Sequence, residues 1–286
     1  LFVLAGLAAS NVAVPLVAMT LPAASMPWLR PTLECLAVLA ATRYATATID
    51  GTGWSAVGLG PSAWKPLVLL VAALAGGMAI AVPTALLIML GDLTFVPAPW
   101  SEVGRTLAMS VAVLAPAALT EELLMRGYPF SVLAGTWGWP AATGITAVVF
   151  GALHLQNPGV SATAIASVIA AGIFLAGVRV LTGSLAAAWA AHFAWNWSLA
   201  GGFHAAVSGL PFGTPGYKLL DSGPDWRSGG PWGPEGGVFA ALGMMGALAG
   251  LSWAMPQMRR AGILPAAPAL ANMNADGRDD RQEQQA

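Results

Sequence analysis

Ionisable side chains are sparse in the long apolar stretch between Arg105 and Lys218, and they are the first candidates for chemistry. Its charged residues and histidines are Glu121, Glu122, Arg126, His154, Arg179, His192 and His204. In a membrane, each such side chain costs about 2.5–3.5 kcal/mol on insertion scales. Intramembrane ionisable residues are therefore functional candidates by default.

The segment Glu-Glu-Leu-Leu-Met-Arg combines two carboxylates with one guanidinium. On a helix, residues four apart lie about 40° apart around the axis and residues five apart about 140°. Glu122 should therefore face Arg126, whereas Glu121 points elsewhere. One interpretation is a solvated helix end with a surface ion pair. The other is that Arg126 neutralises Glu122 and leaves Glu121 as an unpaired carboxylate directed into the bundle, able to accept a proton.

Two further pairs of residues have the same four-residue spacing. Phe150 and His154 share one helix face, and His192 and Asn196 share another. Each pair also has a structural interpretation, because a histidine near a helix end can be interfacial and a His/Asn pair can join helices by hydrogen bonds. Neither pair alone indicates a function.

Together these residues are compatible with two kinds of hydrolysis. In the first, Glu121 and His154 hold and deprotonate a water that attacks a peptide carbonyl, while His192 and Asn196 donate hydrogen bonds to the oxyanion. In the second, Glu121, His154 and His192 bind Zn²⁺ and leave a fourth position for water. The sequence lacks the HExxH signature, so the preferred prediction has no cofactor and zinc is the alternative.

The composition indicates what must position these residues. Of the 286 residues, 57% are hydrophobic and only 9% are charged, against about 25% charged in a soluble domain. This shortage of solvating groups excludes an ordinary soluble enzyme. The net charge of −1 offers no basic surface for nucleic acid. The lipid bilayer is the expected partner and solvent.

Long uncharged runs predict an all-α fold, a polytopic transmembrane helical bundle of about eight spans, because a helix needs about 20 apolar residues to cross a bilayer. The predicted spans are residues 1–21, 31–48, 65–91, 105–121, 140–155, 159–178, 184–206 and 236–256. The expected division is N-terminal spans in 1–104, a catalytic core in 105–206, an external Gly/Pro/Trp loop and the last span in 207–262, and a disordered polar tail in 263–286.

Cationic residues near span ends predict the orientation, because Lys and Arg accumulate on the cytoplasmic side. The tight loop near Arg179 and the Arg259-Arg260 pair favour a multi-pass cell-membrane protein with both termini in the cytoplasm. Glu121 and His192 then lie in the inner half of the membrane. A span that begins at Pro140 would instead carry His154 towards the outer side, away from them.

Three motifs in this order resemble a known family. They are Glu-Glu-x-x-x-Arg at 121–126, Phe-x-x-x-His at 150–154 and His-x-x-x-Asn at 192–196. The region from about 105 to 200 resembles the CPBP (Abi) family of intramembrane endopeptidases, which includes CAAX prenyl proteases and bacteriocin-processing or immunity proteins. The resemblance implies a helical membrane fold with a cytosol-facing catalytic cavity and a glutamate-dependent mechanism, although many members were labelled metalloproteases.

The resemblance also implies a role for each motif residue. Glu121 matches the catalytic glutamate and His154 the partner that helps to activate water. His192 and Asn196 match the oxyanion-stabilising pair. Glu122, Arg126 and Phe150 complete the motifs, and we expect them to support the site.

Two alternatives to an endopeptidase of peptides or membrane proteins stay open. One is a transporter whose intramembrane polar residues form a solute path, but residues 1–100 contain few polar positions for it. The other is a non-catalytic immunity protein that keeps the protease fold and binds a peptide. The sequence does not indicate the substrate.

Overall fold

Helices dominate the computed structural model, which describes residues 26–213 and 215–264. The longer helices there are α1 (Met26–Tyr44), α2 (Pro66–Met89), α3 (Val103–Glu122), α4 (Tyr128–Leu153), α5 (Ala162–Thr182), α6 (Leu185–Trp197) and α7 (Val238–Arg260). Two short strands, β1 (Leu93–Pro97) and β2 (Tyr217–Asp221), pair antiparallel. The predicted helical membrane bundle is confirmed, with a small sheet that the sequence did not suggest.

Within the described residues, four stretches are long and apolar enough to cross a membrane. They are Pro66–Met89, Val103–Leu153, Ala162–Thr182 and Val238–Arg260. Helix α1 carries three charged residues and α6 has only 13 residues, so neither belongs to this set. The predicted span at 1–21 and residues 265–286 of the predicted tail lie outside the described part of the chain. The number of spans is therefore approximate.

The stretch Val103–Leu153 is interrupted and does not run as one straight helix. As one straight helix its 51 residues would measure about 76 Å, more than twice the thickness of the hydrocarbon core. A π-helical turn covers Leu123–Gly127. Gly127 (φ −84°, ψ −125°) and Gly138 (φ 82°, ψ 159°) then leave helical geometry. The chain changes direction at these glycines.

Helices α2 and α6 cross at very short range, which fixes the depth of α6 in the bundle. A Cβ atom added to Gly76 would lie 2.1 Å from the carbonyl oxygen of Ala191, so only glycine allows this approach. The largest group of buried apolar residues lies where α2, α5, α6 and α7 meet, and it includes Ile80, Phe174 and Met244. Because Ala191 precedes His192, this crossing positions a candidate site residue.

The segment between α6 and α7 packs against the bundle and contains short regular elements. It contains β2, a single helical turn at Asp225–Ser228 and 3₁₀ turns before α7. Its strand pairs with β1, and Arg227 Nη2 lies 2.5 Å from Asp92 Oδ1. Trp232 is completely buried. We call this segment, residues 204–213 and 215–237, the roof, because part of it lines the cavity described next.

Candidate active site

A cavity of about 150 Å³ lies among α3, α4, α5, α6, α7 and the roof. The polar residues that line it are Glu121, His154, Asn157, His192, Asn196, Ser208 and Glu235. The other walls are apolar and include Leu114, Phe174 and Met244. The cavity therefore combines an apolar interior with a few convergent polar groups, as ligand sites do.

The cavity brings together Glu121 and His154, which a straight-helix reading of the sequence separates. The 33 positions from Glu121 to His154 would span about 50 Å on an unbroken helix. The breaks at Gly127 and Gly138 return the chain, so both side chains line one cavity. This shared cavity agrees with the pairing of Glu121 and His154 that the family resemblance implies.

Glu122 and Arg126 form an ion pair in the protein interior, where neither side chain is exposed to solvent. The Nη1 atom of Arg126 donates to Glu122 Oε1 at 3.1 Å, and its Nη2 atom donates to the carbonyl oxygen of Gly172 at 3.0 Å. The pair faces inwards, as the helical spacing indicated, and does not mark a solvated helix end. Arg126 thereby links the end of α3 to α5.

Glu122 also holds His192, a contact that sequence spacing did not suggest. His192 Nδ1 lies 2.8 Å from Glu122 Oε1. An ionised carboxylate only accepts hydrogen bonds, so Nδ1 carries the proton. In the neutral ring Nε2 then presents a lone pair. The network assigns this tautomer.

Glu121 is not the isolated carboxylate that the sequence suggested. Its Oε2 atom lies 3.7 Å from His192 Nε2, and its side chain is 38% exposed. His192 thus lies between two carboxylates, with Glu122 on Nδ1 and Glu121 towards Nε2. Glu121 keeps most of its hydrogen-bonding capacity available to water or a ligand.

His154 is oriented by its own helix. Its Nδ1 atom lies 2.7 Å from the carbonyl oxygen of Phe150, so Nδ1–H donates to that oxygen and Nε2 is the acceptor in the neutral ring. The Phe150 ring meets the His154 ring edge to face, with centroids 4.7 Å apart, and meets His192 at 6.1 Å. The guanidinium carbon of Arg126 lies 4.6 Å from the Phe150 centroid. Phe150 therefore packs against three of the polar motif residues.

Asn196 lies one turn after His192 on α6 and lines the same cavity. It is buried, and its side chain makes no hydrogen bond to the described residues. A buried carboxamide without an internal partner is available to a ligand. The four residues predicted as catalytic thus share one cavity.

Residues 103–198 match the family described as Type II CAAX prenyl endopeptidase, Rce1-like. This match covers α3 to α6 and all three motifs. The matched segment is 96 of the 286 residues. The chain matches no curated protein and no solved structure. The match supports the predicted family, and the long apolar helices support a membrane protein.

The cavity also has walls that lie outside the matched segment. Ser208, Leu210, Phe212 and Glu235 line it from the roof, and Met244 lines it from α7. The sequence predicted an external Gly/Pro/Trp loop here and assigned none of its residues to the site. One residue of the roof could have indicated a contribution to the site. Glu235 is the lone acidic residue of the Pro-Trp-Gly-Pro-Glu-Gly-Gly segment.

The side chains of the cavity can be compared with the ligands that the zinc alternative requires. Among the described residues, no group of three or more His, Cys, Asp or Glu side chains converges closely enough to hold a metal ion. Nδ1 of both His154 and His192 is hydrogen-bonded within the protein, which leaves Nε2 of each ring as the atom that could bind a metal. As placed here, Glu121, His154 and His192 do not form such a group.

Proposed function

We propose that this protein is an intramembrane endopeptidase in which Glu121 and His154 activate the water that attacks a peptide carbonyl. The observation that carries the proposal is the convergence of Glu121, His154, His192 and Asn196 from three helices on one apolar cavity. The match to the CAAX protease family supports a protease. The reaction requires no group beyond water and the peptide.

The nucleophile is a water held between Glu121 and His154. Glu121 accepts one proton of this water as general base, and Nε2 of His154 accepts a hydrogen bond from the other O–H. The water oxygen then bonds to the carbonyl carbon, and the carbonyl π electrons move to its oxygen. When the carbonyl re-forms, the C–N bond breaks and Glu121 returns its proton to the leaving nitrogen.

Asn196 and His192 stabilise the oxyanion in this proposal. Asn196 donates an N–H that needs no titration. His192 donates through Nε2 only when the ring is doubly protonated, because its Nδ1–H is held by Glu122. The nearby carboxylates of Glu121 and Glu122 stabilise that imidazolium electrostatically. Glu122 and Arg126 act as positioning residues.

We also propose that the protein is a multi-pass cell-membrane protein with both termini in the cytoplasm, so that peptides reach the cavity from the inner half of the bilayer. Arg259 and Arg260 at the end of α7 support this orientation. A reporter enzyme that is active only outside the cytoplasm should be inactive when fused to the C-terminus. Activity of this fusion would show that the C-terminus lies outside the cytoplasm and would contradict the proposed orientation.

The proposal is tested by peptide cleavage with purified protein in lipid vesicles, using a library of internally quenched membrane and secreted peptides. Glu121→Gln keeps the size of the side chain and removes the base, so we expect kcat to fall about 10²–10⁴-fold. Glu102→Gln is the matched control, since Glu102 lies just before α3 with its side chain 63% exposed. Equal cleavage by wild type and Glu121→Gln would refute the proposal.

A further inference from the structure

Glu235 is a buried carboxylate that the proposed mechanism does not use. It lies in the roof just before α7, is 7% exposed and lines the cavity that also contains Glu121 and Asn196. It lies outside the matched family segment, residues 103–198. Burying a carboxylate is costly unless hydrogen bonds compensate the charge. Its hydrogen bonds show which parts of the chain this carboxylate holds together.

Three donors converge on the Glu235 carboxylate. Trp195 Nε1–H donates to Oε2 at 2.6 Å, and the Ser208 hydroxyl donates to Oε1 at 3.0 Å. The backbone N–H of Ser208 also donates to Oε1. The backbone carbonyl of Glu235 accepts from Ser167 Oγ at 2.6 Å, which joins the roof to α5. Only a carboxylate of this length offers two oxygens that both accept and neither donates.

One end of this network reaches the helix that carries the proposed oxyanion donors. Trp195 lies three residues after His192 and directly before Asn196 on α6. The indole of Trp195 lines the cavity and is buried. Holding this ring fixes the rotation of α6 and therefore the direction of the Asn196 amide.

The other end reaches the helix that carries His154. The carbonyl oxygen of Ser208 accepts from Asn157 Nδ2 at 2.9 Å, and Asn157 lies three residues after His154. Ser208 has a positive φ of 49°, a left-handed conformation that residues other than glycine adopt when their surroundings impose it. The two hydrogen bonds from Ser208 to Glu235 are such surroundings.

We infer that Glu235 is a positioning residue that ties the roof to α6 and, through Ser208 and Asn157, to the end of α4, so that both halves of the catalytic group keep their places around the cavity. This inference rests on the proposed function for its catalytic consequence. The positioning itself can be measured separately.

Glu235→Gln tests the inference because the amide keeps the shape and replaces one acceptor oxygen by a donor, which must face Trp195 or Ser208. Misplacement of catalytic groups costs up to about 10²-fold, so we expect kcat to fall about 10- to 100-fold with KM within about threefold of wild type. Asp225→Asn, the same chemical change at an exposed position of the roof, should leave both constants unchanged.

A double-mutant cycle separates positioning from general destabilisation. If Glu235 acts through the indole, Trp195→Phe should lower kcat, and adding it to Glu235→Gln should cost less than the product of the two single effects. Independent effects that multiply, with equal losses of melting temperature, would overturn the inference. So would a kcat for Glu235→Gln within twofold of wild type.

Amide hydrogen exchange makes the two proposals distinguishable. Faster exchange of the backbone at residues 207–212 in Glu235→Gln, but not in Asp225→Asn, supports the positioning role even if the wild-type protein cleaves no peptide, and in that case the proposed function fails. Peptide cleavage by wild type with unchanged kcat and unchanged exchange in Glu235→Gln overturns this inference alone.

Discussion

Glu121 and Glu122 are neighbours in sequence, yet their carboxylates have opposite environments. Glu122 has no solvent exposure and bonds both Arg126 and His192, whereas Glu121 is 38% exposed and borders the cavity. A helical step of about 100° between adjacent residues produces this difference. One carboxylate builds the site and the other is available to react.

We predict that Glu122→Gln mainly destabilises the protein, because it leaves the Arg126 charge buried without its partner. Removing one member of a buried pair costs about 3–5 kcal/mol, which unfolding in mixed micelles would measure. The matched control is Glu34→Gln, whose partner Arg30 has the same four-residue spacing but is largely exposed, so its loss should cost under about 1 kcal/mol. Equal losses in both variants would show that burial of the pair is unimportant.

We predict that peptide cleavage survives removal of divalent metals. Water activation by Glu121 and His154 uses carboxylate and imidazole groups alone, so activity after incubation with a chelator should stay within twofold. Elemental analysis of the same preparation measures bound zinc. A loss of activity that added Zn²⁺ restores would favour the zinc alternative instead.

At the residue scale, sequence spacing predicts contacts within a helix and misses contacts between helices. The Glu122–Arg126 pair follows from a spacing of four. The bond from His192 to Glu122 joins residues 70 positions apart, and no periodicity encodes it. Glu235 was missed for the same reason, because its three donors belong to α6 and to the start of the roof.

At the element scale, glycine determines where the helices stop and how closely they approach. The positive φ of Gly138 ends one helical segment and begins another within α4, close to the start at Pro140 that the sequence predicted for this span. Gly76 has no such break, and its role is the contact with Ala191. Runs of apolar residues predict helices well, but hydrophobicity alone does not locate a helix break at a glycine.

We predict that Gly76→Ala lowers both stability and activity, since its methyl group would overlap the backbone of α6 beside His192. Overpacking typically costs about 1–3 kcal/mol, and a shift of His192 should lower kcat about tenfold or more. Gly77→Ala is the control on the same helix, because its nearest neighbour there, Ser198 Oγ, would be 3.4 Å from the added Cβ. Melting temperature and peptide cleavage of the two variants provide the comparison.

At the scale of the whole molecule, the candidate catalytic group is enclosed by parts of the chain that precede and follow the matched segment. Helix α2 precedes it and supports α6, and the roof and α7 follow it and close the cavity. The composition of the chain was sufficient to predict a membrane-embedded helical bundle. The roof could not be predicted, because its fold depends on contacts with β1, α5 and α6 and not on any period of its own.

Because β1 pairs with β2, an engineered disulfide between these strands would fix the roof when oxidised and free it when reduced. Thr94 and Leu220 are opposite each other in this pair and both are exposed, so Thr94→Cys with Leu220→Cys places two thiols at disulfide distance. The chain has one native cysteine, Cys35, which is buried, so mispairing is disfavoured. If Glu235 holds the roof in place throughout turnover, the oxidised and reduced forms should cleave peptide at the same rate, and substrate then enters between helices. If only the oxidised form is inactive, the roof must open in every catalytic cycle.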